Sequence, residues 1–229
     1  MKRGNKMKLS KVLYDSVEDI WNSYNEHPFV KGIENGELDL EKFKYYMIQD
    51  YIYLLDYSKI FALGIVKAPN EEIMRFFAEL VHSTLNFEMS VHKKYMERLN
   101  ITSDIIKNSK PSLSNTSYTN YMLWVSQNGD ILDLLVSVLS CSWSYKVIAD
   151  KINNNPLAKE NEFFGEWING YISKEYEECN NKLIDLVDKL GEQCSDTRIN
   201  TLKTIFINCS KYEYMFWDMS YNNGQTYVE

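Results

Sequence analysis

The chain has 229 residues, with 25 Lys and Arg against 32 Asp and Glu, and its net charge of −7 is spread along its length. Without a basic stripe it offers no counterpart to a phosphate backbone, so no nucleic-acid partner is expected. Only 9 Gly and 4 Pro punctuate a sequence that is 45% apolar, which predicts long elements around one sizeable core.

The basic start, Met1 to Lys6, has no apolar run behind it and reads as a loose tail (residues 1–7), not a secretion signal, with Met7 as an alternative start. From there helical periodicity recurs and β-type alternation is absent, which predicts an all-α fold. A first helix is expected over 8–25, with Leu13, Val17, Ile20, Trp21 and Tyr24 on one side. His27-Pro28-Phe29 breaks it, because proline disfavours helix in the residue before it. Gly36 to Leu40 turns into a second helix over about 40–66, which Pro69-Asn70 ends. Glu71 and Glu72 then open a third helix, to about Leu99, at the positive end of its dipole. Residues 100–117 read as a polar loop with at most a short turn, before helices over about 116–127 and 130–152. Asn153-Asn154-Asn155-Pro156 is the strongest break. Helices over about 158–171, 173–190 and 196–222 follow, then a polar tail, 223–229. No linker or repeat divides the chain, so a single domain of seven or eight helices is expected over 8–222. No run of about 18 apolar residues is evident, and no membrane partner is expected.

Cys141, Cys179, Cys194 and Cys209 contain no C-x-x-C pair, and with three histidines a zinc site is not expected. Four free thiols in a chain of this length suit a reducing, cytoplasmic setting. The 17 tyrosines carry hydroxyls into any core they enter, which calls for satisfied partners or a polar cavity.

Three helical stripes carry a carboxylate among apolar residues. The second helix presents Phe43, Met47, Asp50, Leu54, Tyr57 and Phe61, with Tyr53 within reach of Asp50. The third presents Phe77, Leu80, Thr84, Glu88, Val91 and Tyr95; Glu88 and His92, four apart, form at most half of a metal pair, since the second Glu/His pair of a di-iron bundle is missing. The last presents Leu202, Phe206, Cys209, Glu213, Phe216 and Ser220. The helix over 130–152 is apolar almost all round and carries Cys141 and Tyr145 one turn apart; a core cysteine is more commonly inert packing than a nucleophile. Asp50, Glu88 and Glu213 have no Lys or Arg on the same faces. Either neighbouring hydroxyls satisfy them, or they line a pocket for a small, flat, polar molecule. Burial raises the pKa of a Glu, which suits a general acid.

Five motifs in order resemble the TenA/thiaminase II family: Gln49-Asp50-Tyr51-Ile52-Tyr53, Ser117-Tyr118-Thr119, Cys141-Ser142-Trp143-Ser144-Tyr145, Trp167-Ile168-Asn169-Gly170-Tyr171, and Tyr212 to Met219. The resemblance spans about Leu9 to Tyr221 and implies a haem-oxygenase-like helical bundle, a homotetramer, and hydrolysis of aminopyrimidines for thiamin salvage. It makes Cys141 the nucleophile, Glu213 the acid at a ring nitrogen, and Tyr53 the hydrogen-bond partner of the thiol. Asp50 would hold the 4-amino group; Tyr118, Tyr145, Tyr171 and Phe216 would line the pocket, and Glu88 would close its polar end. The implied substrates are 4-amino-5-aminomethyl-2-methylpyrimidine and thiamin, with no metal or organic cofactor. Two rivals stand beside it: a haem or di-iron oxygenase on the same fold, with His27 as axial ligand, and a non-catalytic pyrimidine-binding regulator.

Overall fold

The computed structural model describes residues 7–225, and among them the chain forms α-helices and no strand. The expected first helix is two. Helix α1 (Leu9–Asp15) stops where the Ser16 hydroxyl donates to the Leu13 carbonyl, a local bond that competes with the helical ladder. Val17 leaves the helical region (φ −124°, ψ 3°) before α2 (Glu18–Tyr24) begins. Pro28 does more than break the chain: it is the first residue of α3 (Pro28–Glu34), where its missing N–H is no loss, and His27 Nδ1 caps it by accepting from Phe29 N–H at 3.1 Å.

Helix α4 (Leu40–Lys67) is capped by Asp39 and runs 28 residues. The expected third helix is interrupted: α5 (Glu71–Ser83) passes through a π-helical turn, Thr84–Glu88, into α6 (Met89–Arg98). The expected loop holds α7 (Ser103–Asn108) and the start of α8 (Leu113–Asn128), because Thr102 and Ser112 each accept from an N–H three residues on. Polar composition there reflects helix caps rather than a loop. Helix α9 (Ile131–Ile152) opens with a reciprocal cap between Asp130 and Asp133, and Arg198 bonds those carboxylates at 2.8 and 2.6 Å. One expected helix becomes α10 (Pro156–Lys159) and α11 (Gly165–Ile172), since Asn161 Oδ1 accepts from both Phe163 and Phe164 N–H. Helices α12 (Lys174–Gly191) and α13 (Asp196–Tyr221) match expectation to within a residue. Residues 223–225 are not a loose tail. Asn223 and Gly224 take positive φ, and Gly224 N–H closes α13 by donating to Met219 O at 2.9 Å. The tails expected over 1–6 and 226–229 lie outside the described residues.

Helix α9 runs through the middle of the bundle, packed on α4, α8, α11, α12 and α13. Leu134, Leu135, Val136, Val138 and Leu139 are buried on every side of it. Its length and hydropathy alone meet those of a membrane span, which the sequence reading had not found, yet 67% of that apolar stretch is buried inside the fold. All the packed helices contribute to one hydrophobic cluster. Helices α4 and α5 cross where Gly64 meets the Phe77 ring; a Cβ on Gly64 would stand 2.3–2.6 Å from that ring. Overpacking of this kind destabilises by about 1–3 kcal/mol. Gly64→Ala is therefore expected to lower the urea unfolding midpoint by that free energy, with an unchanged slope.

Candidate active site

A cavity of about 330 Å³ opens between α4, the π turn, α9, α11 and α12. Its walls are largely aromatic: Tyr53, Tyr57, Tyr145, Trp167, Tyr171 and Tyr176. Among the chemically active side chains that line it are Asp50, Glu88, His92 and Cys141.

Helix α9 delivers the thiol. Cys141 and Tyr145 follow one another at a helical turn and both face the cavity. Burial pushes the Cys141 thiol well above its ordinary range, and the nearby Glu213 charge pushes the same way. The neighbouring Tyr53 hydroxyl, which also reaches Met122 Sδ at 3.9 Å, opposes the rise by favouring the thiolate. At rest the group is a thiol, with Glu213 close by.

Glu213, on α13, is 2% exposed. Tyr118 Oη donates to its Oε1 at 2.8 Å, and the Cys141 thiol is its second partner. Burial lifts its pKa to about 7; the phenol and thiol donors restrain the rise, and the Asp50 charge adds to it. Tyr53, Cys141, Glu213 and Tyr118 thus converge as one interacting group drawn from four helices, with the Tyr118–Glu213 hydrogen bond at its back.

Three expected pocket residues stand a layer further back. Glu213 lies behind the thiol and is not part of the cavity wall. Tyr118 and Phe216, expected to line the pocket, do not. Tyr118 is fully buried, stacked on Tyr212 at 5.5 Å, and its hydroxyl serves Glu213. Phe216 packs edge-on against Tyr53 at 5.6 Å and so fixes that ring. Tyr53, Asp50, Tyr145, Tyr171 and Glu88 do line the cavity.

Asp50 is not an unpaired carboxylate. His92 Nε2 lies 2.6 Å from its Oδ2, and His92 Nδ1 lies 3.0 Å from the Glu88 carbonyl oxygen. A carbonyl only accepts, so Nδ1 carries a proton. Burial by itself lowers the His92 pKa, but the Asp50 bond and charge, with Glu88, more than offset it and the net shift is upward. The His92 bond fixes Asp50 through Oδ2 and leaves Oδ1 for a ligand. Glu88 ends the π turn, and burial raises it to about 7, with His92 lowering and Asp50 raising it.

The engagement of both histidines bears on the metal readings. His27 Nδ1 accepts from Phe29 N–H, so Nε2 holds the proton and donates to Asp218 at 3.0 Å; neither nitrogen is free to be an axial ligand. Both nitrogens of His92 are likewise occupied, which removes the Glu88/His92 metal pair. Among the described residues no group of three or more His, Cys, Asp or Glu is placed to hold a metal ion.

A family model for the TENA/THI-4/PQQC family matches residues 14–223. The chain belongs to this family. It is 47% identical over 217 residues to an aminopyrimidine aminohydrolase of Helicobacter pylori, covering 95% of this chain and 100% of that protein. Its fold is similar to that of a TenA homologue from P. horikoshii OT3, with a TM-score of 0.88, 30% identity, and coverage of 96% and 100% of the two chains. A domain of unknown function from Shewanella denitrificans with a haem-oxygenase-like fold, 16% identical, superposes with a TM-score of 0.73 over 96% and 94%, a likeness of fold alone.

Within this TENA/THI-4/PQQC site, the wall residues that escaped the sequence reading of the pocket include Tyr57, Trp167, Tyr176 and Cys179. Tyr57 lies on the Asp50 stripe, one turn beyond Tyr53, and that spacing was the available signal. Its hydroxyl donates to Val138 O at 2.8 Å. Tyr176 is masked by the charged residues around it, yet its hydroxyl donates to Ser142 O at 3.0 Å and braces the thiol's neighbour. Cys179 shares the wall, and burial raises it to about 11.

The raised Glu213 has a stability consequence. The unfolded chain releases this proton near 4.5, the folded chain near 7. Between those values the folded state holds more protons, so stability falls as pH rises, and the deficit persists above 7. It amounts to about 3 kcal/mol. Glu213→Gln is expected to be more stable than wild type in urea at pH 8, with no such gain at pH 4.5.

Proposed function

We propose that the protein is an aminopyrimidine aminohydrolase. It cleaves the bond between the exocyclic 5-methylene of a pyrimidine and its amine, taking 4-amino-5-aminomethyl-2-methylpyrimidine, and thiamin, to the 5-hydroxymethyl product for thiamin salvage. The observation that carries this reading is the hydrogen-bonded thiol and acid, Cys141 and Glu213, at one end of an aromatic-walled cavity that also presents the Asp50 carboxylate. The function named for the Helicobacter pylori relative supports it.

The geometry suits a thiol that is activated only in the reaction. As sulfur adds to the ring, its proton passes to the Glu213 carboxylate, which gives it to a ring nitrogen. Addition breaks aromaticity, so the amine can depart and leave an exocyclic methylene. Water adds to that carbon, the ring nitrogen returns its proton to Glu213, and the sulfur is expelled. Glu213 at about 7 exchanges protons readily in both directions near neutral pH. Tyr53 donates to the sulfur as charge gathers there. Asp50, anchored by His92, accepts from the 4-amino group, and Tyr145 and Tyr171 flank the ring. Tyr118 and Phe216 act from behind by holding Glu213 and Tyr53. Two further parts of the reading are a homotetramer, as the family resemblance implies, and a cytoplasmic setting, for which the support is that Cys141, Cys179 and Cys209 are in no disulfide. The whole is read as one domain without a cofactor.

Wild-type protein is expected to release ammonia from the aminomethyl pyrimidine. Cys141→Ala is expected to lose more than ~1000-fold in turnover while keeping a native circular-dichroism spectrum and melting transition. Retention of most activity in the variant contradicts the covalent route.

A further inference from the structure

Glu88 takes no part in the steps above. The π turn that ends at Glu88 shifts the register between α5 and α6 and brings its carboxyl to the cavity. Among the described residues, that carboxyl makes no hydrogen bond, although its backbone carbonyl serves His92. Its charge acts on Tyr57, Tyr171, Tyr176 and Cys179, but it is not among the leading influences on Cys141 or Glu213. Glu88 therefore lines the cavity itself, from the end of the π turn, whereas Glu213 lies outside its wall, behind the sulfur. Glu175 also lines it, as does Glu166, which pairs with Arg98 at 3.3 Å; among the described residues no Lys or Arg lines it, and its one basic group, His92, is held by Asp50. Such a wall favours a cation.

We infer that Glu88 is a further catalytic residue, whose carboxylate holds the leaving nitrogen as an ammonium so that it departs as neutral ammonia. The assignment rests on the aminopyrimidine reading. An amine carried into an apolar cavity tends to shed its proton. Expelled without that proton, it must leave as an amide anion. Beside a carboxylate it stays protonated: the carbon–nitrogen bond breaks, its electron pair goes to nitrogen, and NH3 departs with its three hydrogens. The proton released when water adds to the methylene passes to the vacated carboxylate and from there to solvent. Thiamin needs no such help, because its thiazolium nitrogen is cationic without a proton and leaves neutral.

The test compares wild type, Glu88→Gln and Glu88→Asp on three substrates: the aminomethyl pyrimidine, thiamin, and the trimethylammoniomethyl analogue. For Glu88→Gln, kcat for ammonia release is expected to fall about 100-fold. With the two proton-free leaving groups, kcat stays within about threefold of wild type while KM rises. Glu88→Asp restores part of the ammonia release. Equal loss of kcat on all substrates, or undiminished ammonia release, overturns the assignment and leaves the aminopyrimidine reading standing. If Glu88→Gln does not fold, Glu88→Asp decides on the same comparison: selective loss supports, equal or no loss overturns. Wild-type protein inactive on all three substrates overturns both readings.

Discussion

Glu213 is buried with a phenol and a thiol as its partners and no cation, and the rest of the site is arranged around that choice. A lysine or arginine beside it would hold it ionised and far below neutrality, unable to return a proton to a ring nitrogen. Desolvation alone would leave it permanently protonated and unable to accept the thiol's proton. Tyr118 and Cys141 supply donors that offset part of the desolvation and leave the group near 7. The same balance keeps Cys141 a thiol until substrate arrives, because its S–H is one of those donors. An unactivated thiol is protected from casual oxidation, since the thiolate is the reactive form.

Holding such a group has a structural counterpart. Tyr118 needs Tyr212 to stack on, Tyr53 needs Phe216 and Tyr57, and Tyr145 packs between Tyr171 and Trp217. Rings of this kind are stiff for their area, so they fix hydroxyl positions with little loss of rotamer freedom. The high tyrosine content is thus not spread evenly as packing; much of it is the framework that positions a few hydroxyls around the thiol. Asp50 follows a different principle. It is fixed by His92, and its proposed task is recognition, not proton traffic.

Much of this was legible from periodicity. Helices α4, α9, α12 and α13 fell within one or two residues of expectation because their apolar stripes are strong and their caps plain. Asp50, Cys141, Glu88 and Glu213 were all singled out on core-facing positions, and the first three do face the cavity. The family resemblance put Tyr118 and Phe216 in the pocket wall, and periodicity, which says which way a side chain points but not how deep it lies, could not show that they stand a layer behind it. Pairings between distant segments were invisible: Asp50 and His92 are 42 residues apart, and Tyr118 and Glu213 are 95 apart. The π turn escaped because a one-residue register shift leaves no composition signal, and α7 escaped because its cap and polar face look like a loop.

The most direct measurement is a crystal structure of the protein with 4-amino-5-hydroxymethyl-2-methylpyrimidine bound. The account predicts the ring between Tyr145 and Tyr171, a ring nitrogen within hydrogen-bonding distance of the Glu213 carboxyl, the 4-amino group on Asp50, and a ring carbon facing Cys141 Sγ. A pyrimidine seated elsewhere, or a Glu213 that stays walled off behind the sulfur with no contact to the ring, would contradict it.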